Sequence, residues 1–251
     1  MARASASRSP LRFPESEPPA LPAASAARRL RRMYDRLLQL WGPQAWWPAK
    51  TPLEVVIGAY LTQSTSWKSV ERSLANLDAR GLLAHGKQSI EAIHALSEEE
   101  LRSLIRPSGY MTRKAASIKS FAAFLIAEYN GSLEALAAEP TAIIRAKLLA
   151  LPGVGPETAD AILLYAFGHP AMVVDEYLRR IVTRHGLLPE KAKYPAIQSL
   201  AVSAFAQDTP RERLTHYNEF HALIVETGKR YCGPTPKCEE CPLAYDRKAA
   251  R

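Results

Sequence analysis

The residues best suited to chemistry lie together between Leu151 and Ile181. A helical run, Thr141 to Leu151, leads into the turn Pro152-Gly153-Val154-Gly155, and a second helical pattern opens at Pro156. Proline suits the first position of a helix, because its missing N–H would be unpaired there and its φ is preset. The two glycines allow a tight, left-handed turn and a close backbone approach to a ligand. Unpaired N–H groups at a helix start, together with the helix dipole, suit a phosphate. The stretch predicts a helix–hairpin–helix whose turn, Gly153, Val154 and Gly155, grips a nucleic-acid backbone. About twenty residues on, the apolar run Ala171-Met172-Val173-Val174 ends at one carboxylate, Asp175, at the head of another helical pattern. Taken alone, Asp175 also fits an N-cap that accepts a backbone N–H, and the turn alone fits an ordinary helix connection.

Four further groups carry chemical potential. Trp46 and Trp47 stand in a loop before Pro48. Tandem indoles are costly to leave in water. They either pack at a domain seam or offer an aromatic face to a base flipped out of a duplex. Gln63 sits in the joint Thr62–Ser66, where its plain role is to satisfy local backbone groups. Arg113, Lys114 and Lys119 open a helix after the break Arg106–Tyr110, as a phosphate contact or as a solvated face. Cys232, Cys238 and Cys241 all lie in the last twenty residues. A clustered odd set argues against a secreted disulfide framework and for a metal or cluster site.

The elements that must position these groups read as helices. The chain has 251 residues, 47% hydrophobic and 23% charged, enough for a real core. Its formal charge is +8, of which the first 32 residues carry +5. That balance fits a polyanion partner. Residues 1–25, with five prolines and few large apolar side chains, are expected to be a disordered basic tail. An amphipathic helix follows from Ala26, with Leu30, Met33, Leu37 and Leu40 facing inward. Pro52–Leu77 predicts two helices joined at Thr62–Ser66, the first buried all round. Ser97 and Glu100 form a capping box for one of two helices before Ile105. A helix from Arg113 ends at Asn130-Gly131. After Asp175 comes an amphipathic helix with Arg179, Arg180 and Arg184 toward phosphate, then two last helices over 196–207 and 216–231. No segment alternates like a strand, so the fold class is all-α. No run approaches the ~20 apolar residues of a membrane span. The expectation is a monomer in the cytoplasm, associated with the nucleoid.

The order of Gln63, the hairpin, Pro156-Glu157-Thr158-Ala159-Asp160 and Val173-Val174-Asp175 resembles the helix–hairpin–helix (HhH-GPD) DNA glycosylase superfamily of base-excision repair. Endonuclease III is its familiar member, and the resemblance covers about Ala26 to Leu243. With its tryptophan pair the chain looks most like the endonuclease III-related 3-methyladenine DNA glycosylases, whose members stack an alkylated purine on such a pair. An electron-rich indole suits a base made cationic by alkylation. The resemblance implies that Asp175 is the catalytic carboxylate and that Gly153 and Gly155 hold phosphate. It implies that Trp46 and Trp47 form the base pocket and that Gln63 enters the gap left in the double-stranded DNA. It implies two helical lobes: a six-helix lobe over 46–169 carrying the hairpin, and a second lobe from 26–45 and 170–251. DNA would cross the cleft, with Asp175 at the seam. Trp67 is expected to start a helix and pack inward, outside the pocket.

Two departures matter. Bifunctional members carry a lysine two residues after the second hairpin glycine, and that lysine attacks the sugar C1′ to form an imine. Here the position is Glu157, and a carboxylate cannot form an imine. The expected activity is therefore hydrolysis of the N-glycosidic bond without abasic-site lyase activity, with Glu157 shaping the base pocket or placing water. Glu157 is also favourable at a helix N-terminus on plain electrostatic grounds. The cysteine tail looks like the family's [4Fe–4S] loop, yet its first spacing is one residue short and no fourth cysteine follows. Asp246 is the nearby oxygen ligand in sequence, and His221 the upstream candidate for a zinc set. A bound cluster, a decayed cluster loop and zinc all stay open here. Two other functional readings stand beside the first: an endonuclease III-type glycosylase and lyase on oxidised pyrimidines, and a non-catalytic DNA-binding module.

Overall fold

A stripe of Leu30, Met33, Tyr34 and Leu37 is fully buried on α1 (Ala23–Trp41). The computed structural model describes residues 23–47, 49–84 and 86–249. Most of the expected tail lies outside the described residues, as does Pro48, and Ala23–Ser25, expected in the tail, already belong to α1. Leu40 is not inward as expected but 44% exposed. Ten residues past Leu30 the helix has rotated off the stripe, and Trp41, one position on, packs against the core instead.

Helix α2 (Pro52–Leu61) starts with Thr51 accepting the Glu54 N–H and buries Leu53 and every residue from Val55 to Leu61, so it runs through the middle of its lobe. Around it lie α3 (Trp67–Asp78), α4 (Lys87–Ala95), α5 (Glu98–Leu104), a 3₁₀ turn at Arg106–Ser108, α6 (Met111–Tyr129), α7 (Leu133–Ala137), α8 (Thr141–Ala150) and α9 (Pro156–Ala161). The expected capping box of Ser97 and Glu100 is present, and Asn130 closes α6 in the left-handed conformation. Val56, Ile57, Tyr60, Phe121, Leu125, Ile144 and Leu148 fill this first core.

The second core joins α1 to α10 (Glu176–Arg184), α11 (Tyr194–Ala204) and α12 (Pro210–Arg230) through Leu30, Leu37, Leu178, Val182, Phe205, Phe220 and Leu223. Helix α12 begins six residues before the apolar pattern does, because Thr209, Pro210 and Glu212 build a capping box upstream of it. The chain is thus all-helical and two-lobed among the described residues, with the second lobe drawn from both ends of the sequence.

The two cores share one wall. Ala159, Ile162 and Leu163 face the first core, while Ala161 and Leu164 face the second. Within that wall Asp160 is fully buried. It accepts from Arg145 Nε at 2.7 Å, Arg145 Nη2 at 3.0 Å, and Tyr194 Oη and Gln198 Nε2 at 2.7 Å each. Gln198 also donates to the Met172 carbonyl at 2.8 Å. A buried carboxylate this fully paired ties α8 and α9 to α11 and to the segment leading to Asp175, and losing one partner would leave an uncompensated buried charge. After Ala161 the helix widens into a π-helical turn, Ile162–Ala166, a feature frequent at functional sites.

Candidate active site

The hairpin forms because α8 ends at Ala150 with Leu151 as its extended C-cap, Val154 N–H returns to the Leu151 carbonyl at 3.3 Å, and Pro156 starts α9. The two glycines differ. Gly153 has φ +77°, and a Cβ there would lie 2.3 Å from Ser117 Oγ. Gly155 has φ −95°, an extended N-cap, with nothing within 4 Å of its Cβ position. Only Gly153 is demanded by the turn, whereas Gly155 leaves open space where a ligand can approach. Val154 is buried beneath them.

Gln63 comes to the same place. Its Nε2 donates to the Gly153 carbonyl at 2.9 Å and to Thr158 Oγ1 at 3.1 Å, while Arg113 Nη2 donates to its Oε1 at 3.4 Å. Arg113 is exposed beside it. Lys114 is not on that surface. It is 2% exposed, and its ammonium donates to the Leu61 carbonyl at 2.7 Å, Thr65 Oγ1 at 2.6 Å and the Ser108 carbonyl at 2.9 Å. All three of its N–H groups are used, so it fastens the Gln63 loop from within. Burial, then the charge of Arg113, lowers it to about 8. Lys119 likewise turns to the His94 carbonyl, at 2.7 Å, at the end of α4.

Asp175 caps α10: its Oδ1 accepts the Leu178 N–H at 2.7 Å. It is buried. Burial pushes its carboxyl up to about 6, against the pull of the backbone N–H groups of Leu178 and Tyr177. At the start of α9, Glu157 is pushed up to about 7, first by enclosure among protein atoms and then by the charge of Asp175. Glu157 is nevertheless exposed, so water softens that shift but leaves its direction. The next carboxylate, Glu176, is held low by Arg179 despite partial burial. Arg180 also pairs with Glu176 at 2.9 Å.

Trp46 and Trp47, both half-buried, stack obliquely at 5.6 Å between ring centroids. Tyr165, from the π-helical turn, packs on Trp47 at 5.2 Å and on Trp46 at 6.0 Å. Trp67 starts α3 and packs on the first core, as expected, and its ring also meets Trp47 edge-on at 5.3 Å, which joins it to the aromatic group. The indole of Trp47 rests on Gly58, where a Cβ would sit 3.4 Å from its Cζ2. The loop before the pair is welded to α12, because the Glu219 carboxylate accepts the N–H of Gln44 at 2.6 Å and of Ala45 at 3.1 Å. His221, two residues on, packs on Trp46 at 5.4 Å and lies 3.8 Å from Asp175 Oδ2 through Nε2. One turn of α12 therefore links the tryptophans to Asp175. Sequence reading missed Tyr165 and Glu219 at this site and offered His221 only as a candidate for a zinc set. His221 did leave a signal, since it interrupts the otherwise apolar run Phe220–Val225, and Glu219 stands directly before that run.

The cysteine loop is a separate place. Cys232, Cys238 and Cys241 line a cavity of about 20 Å³ with Arg184 and Arg247, room for about one water. Arg184 Nη1 reaches Cys232 Sγ at 3.2 Å, and Arg247 Nη1 reaches Cys238 Sγ at 2.6 Å. Asp246 is turned away, 2.9 Å from both Arg29 Nε and His185 Nδ1. Burial opposes its ionisation, but those two partners hold it down to about 2. His221 is engaged at the aromatic site. No group of three or more metal-binding side chains among the described residues is arranged for an ion. Three thiols facing two guanidinium groups in so small a space do not fit a [4Fe–4S] cluster, which takes four ligands, nor a four-ligand zinc. Arg184, expected near phosphate, serves instead as a staple of this loop, donating also to the Gly233 carbonyl at 2.8 Å.

The family model described as "HhH-GPD superfamily base excision DNA repair protein" matches residues 57–207. The chain is 43% identical over 213 residues to the Methanocaldococcus jannaschii protein named "Putative DNA repair glycosylase MJ1434", covering 84% of this chain and 92% of that one. Among solved structures, H. pylori 3-methyladenine DNA glycosylase (MagIII) bound to 1,N6-ethenoadenine superposes with a TM-score of 0.69 at 28% identity, over 84% of this chain and 98% of that one. A trapped endonuclease III–DNA covalent intermediate shares the fold, with a TM-score of 0.70 at 24% identity over 90% of this chain and 99% of that one. The chain belongs to the HhH-GPD superfamily of base-excision DNA repair proteins and is a DNA repair glycosylase of that family.

Proposed function

We propose that this glycosylase removes alkylated purines, of the 3-methyladenine kind, by hydrolysis and without abasic-site lyase activity. The observation that carries the reading is the aromatic group of Trp46, Trp47, Tyr165 and Trp67, joined through α12 to the buried Asp175. A flipped, positively charged purine gains from indole faces and from carboxylates nearby. The hairpin amides around Gly153–Gly155 hold a phosphate, Arg113 adds charge beside them, and Gln63 leaves its hairpin contacts to fill the gap in the duplex.

In the reaction the C1′–N bond breaks with its electron pair going to the base, which leaves neutral because it entered as a cation. Ionised Asp175 stabilises the oxocarbenium-like sugar and directs a water oxygen onto C1′, as carboxylates do in glycoside hydrolysis. The water proton passes to solvent by way of the carboxylate. Glu157, raised toward neutrality, borders the base or places the water.

The glycine pair tests the phosphate contact. Gly153→Ala is expected to cost about 1–3 kcal/mol through its left-handed φ and the Ser117 contact, read as a lower Tm. Gly155→Ala is expected to leave Tm within about 1 °C, since its site is open, yet to weaken duplex binding several-fold because a methyl then stands where phosphate approaches. Unchanged binding by Gly155→Ala would remove the hairpin from the interface. The substrate class is tested by incubating the protein with a methylated duplex and with an oxidised-pyrimidine duplex and identifying the free bases. Release of 3-methyladenine is expected. Release of oxidised pyrimidines alone would hand the site to the endonuclease III-type reading.

A further inference from the structure

The phenol of half-buried Tyr165 and the imidazole of buried His221 are polar groups that the hydrolysis above leaves without a task. Tyr165 Oη lies 2.7 Å from His221 Nδ1, and the other acceptor within its reach, the Asn218 carbonyl, is at 3.5 Å. The ring's far nitrogen, Nε2, is 3.8 Å from Asp175 Oδ2. The other Asp175 oxygen, Oδ1, is taken by the Leu178 N–H. We propose that Tyr165 and His221 are a positioning pair for Asp175: the phenol donates to Nδ1, which places the imidazole proton on Nε2 and turns that N–H toward Oδ2. This rests on the reading of Asp175 as the catalytic carboxylate.

Three observations support it. Burial holds His221 down to about 3 and so keeps the ring neutral with a single N–H. Burial, then the charge of Asp175, raises Tyr165 well above its ordinary range, so the phenol keeps its proton to donate. Tyr165 also sits in the π-helical turn that directly follows α9, where the widened backbone re-aims the side chain toward α12. The titratable groups around Asp175 are Glu157 from α9, Glu176 beside it on α10, Tyr165 from the π-helical turn, and His221 from α12, with Glu219 of α12 occupied by the tryptophan loop. Among these neighbours carboxylates dominate. At 3.8 Å the Nε2–H acts on Oδ2 as a nearby dipole that favours the ionised form of Asp175, and it closes to a hydrogen bond when the site tightens on substrate.

The test uses the full chain with ¹⁵N-labelled histidine. Imidazole nitrogen resonances between pH 5 and 8 are expected to show His221 neutral throughout, with the proton on Nε2, and Tyr165→Phe is expected to move population toward Nδ1–H. In single-turnover excision, Tyr165→Phe and His221→Leu are expected to raise the acid-limb midpoint by about one pH unit, roughly a tenfold rate loss on the acid side. His221→Gln, whose amide N–H reaches the place of Nε2, is expected to restore the midpoint. An Nδ1–H proton in the wild type, or an unmoved acid limb in variants of wild-type Tm, would overturn the pair. If the wild type excises no base, the proposed function falls, while the nitrogen resonances still decide the tautomer.

Discussion

Asp175→Asn is expected to stop base excision while making the protein harder to unfold. Excision falls by something on the order of 10²–10⁴-fold, because an amide cannot stabilise the cationic sugar or take the proton of the attacking water. Stability rises because the native carboxylate is buried and raised to about 6, above the ~3.9 of an unfolded chain. Between those values the folded state binds more protons than the unfolded one, so stability falls as pH rises from about 4 to 6. Above pH 6 the whole penalty applies, on the order of 2–3 kcal/mol, and the variant escapes it. Asparagine remains a good N-cap for α10, so little is lost in exchange. The expected result at pH 7.5 is a Tm several degrees higher with activity absent, and at pH 4 a Tm equal to wild type. A residue that served only as a cap would show retained excision and no gain in Tm. Functional groups held against their solvation preference commonly show this exchange of activity for stability.

Glu157→Lys is expected to create a covalent activity that the wild type lacks. The residue is exposed at the start of α9 and within the electrostatic reach of Asp175. Burial normally lowers a lysine amine toward its nucleophilic form, and the neighbouring carboxylate pulls the other way, so the amine should react best above neutral pH. It would attack C1′ of an abasic sugar, expel water and leave an imine that borohydride reduces to a stable protein–DNA adduct. Denaturing gels of borohydride-treated mixtures with an abasic duplex should show the adduct for the variant and none for the wild type. An adduct already present in the wild type would mean that another amine serves. Lys114 is not that amine, since its three donors are taken inside the fold.

The hairpin, the capping box of Ser97 and Glu100, the all-helical class and the order of the helices were legible in the sequence because each rests on local chemistry. Pro156 at a helix start, Ser97 with Glu100, and Asn130 after α6 act within a few residues. What stayed hidden depends on partners far along the chain. Lys114 reads as a surface cation until Thr65 and the 3₁₀ turn close over it. Asp160 reads as one more polar residue of α9 until Arg145, Tyr194 and Gln198 converge on it from 15 to 38 residues away. Trp67 was read as a packing residue, and its edge-on contact with Trp47 needs α2 and α3 folded against each other. The cysteine spacing suggested a ligand set, and only the long reach of Arg184 and Arg247 shows what the thiols face.

Hydrolysis by Asp175, with a carboxylate where an imine-forming amine would stand, is the central claim, and one experiment addresses it most directly. Wild type and Asp175→Asn would be incubated with a methylated duplex, each reaction split, and one half heated in alkali before strands are counted. The account predicts strand breaks only after alkali for the wild type, in step with released base, and none above background for Asp175→Asn. Breaks without alkali in the wild type, or undiminished release by Asp175→Asn, would contradict it.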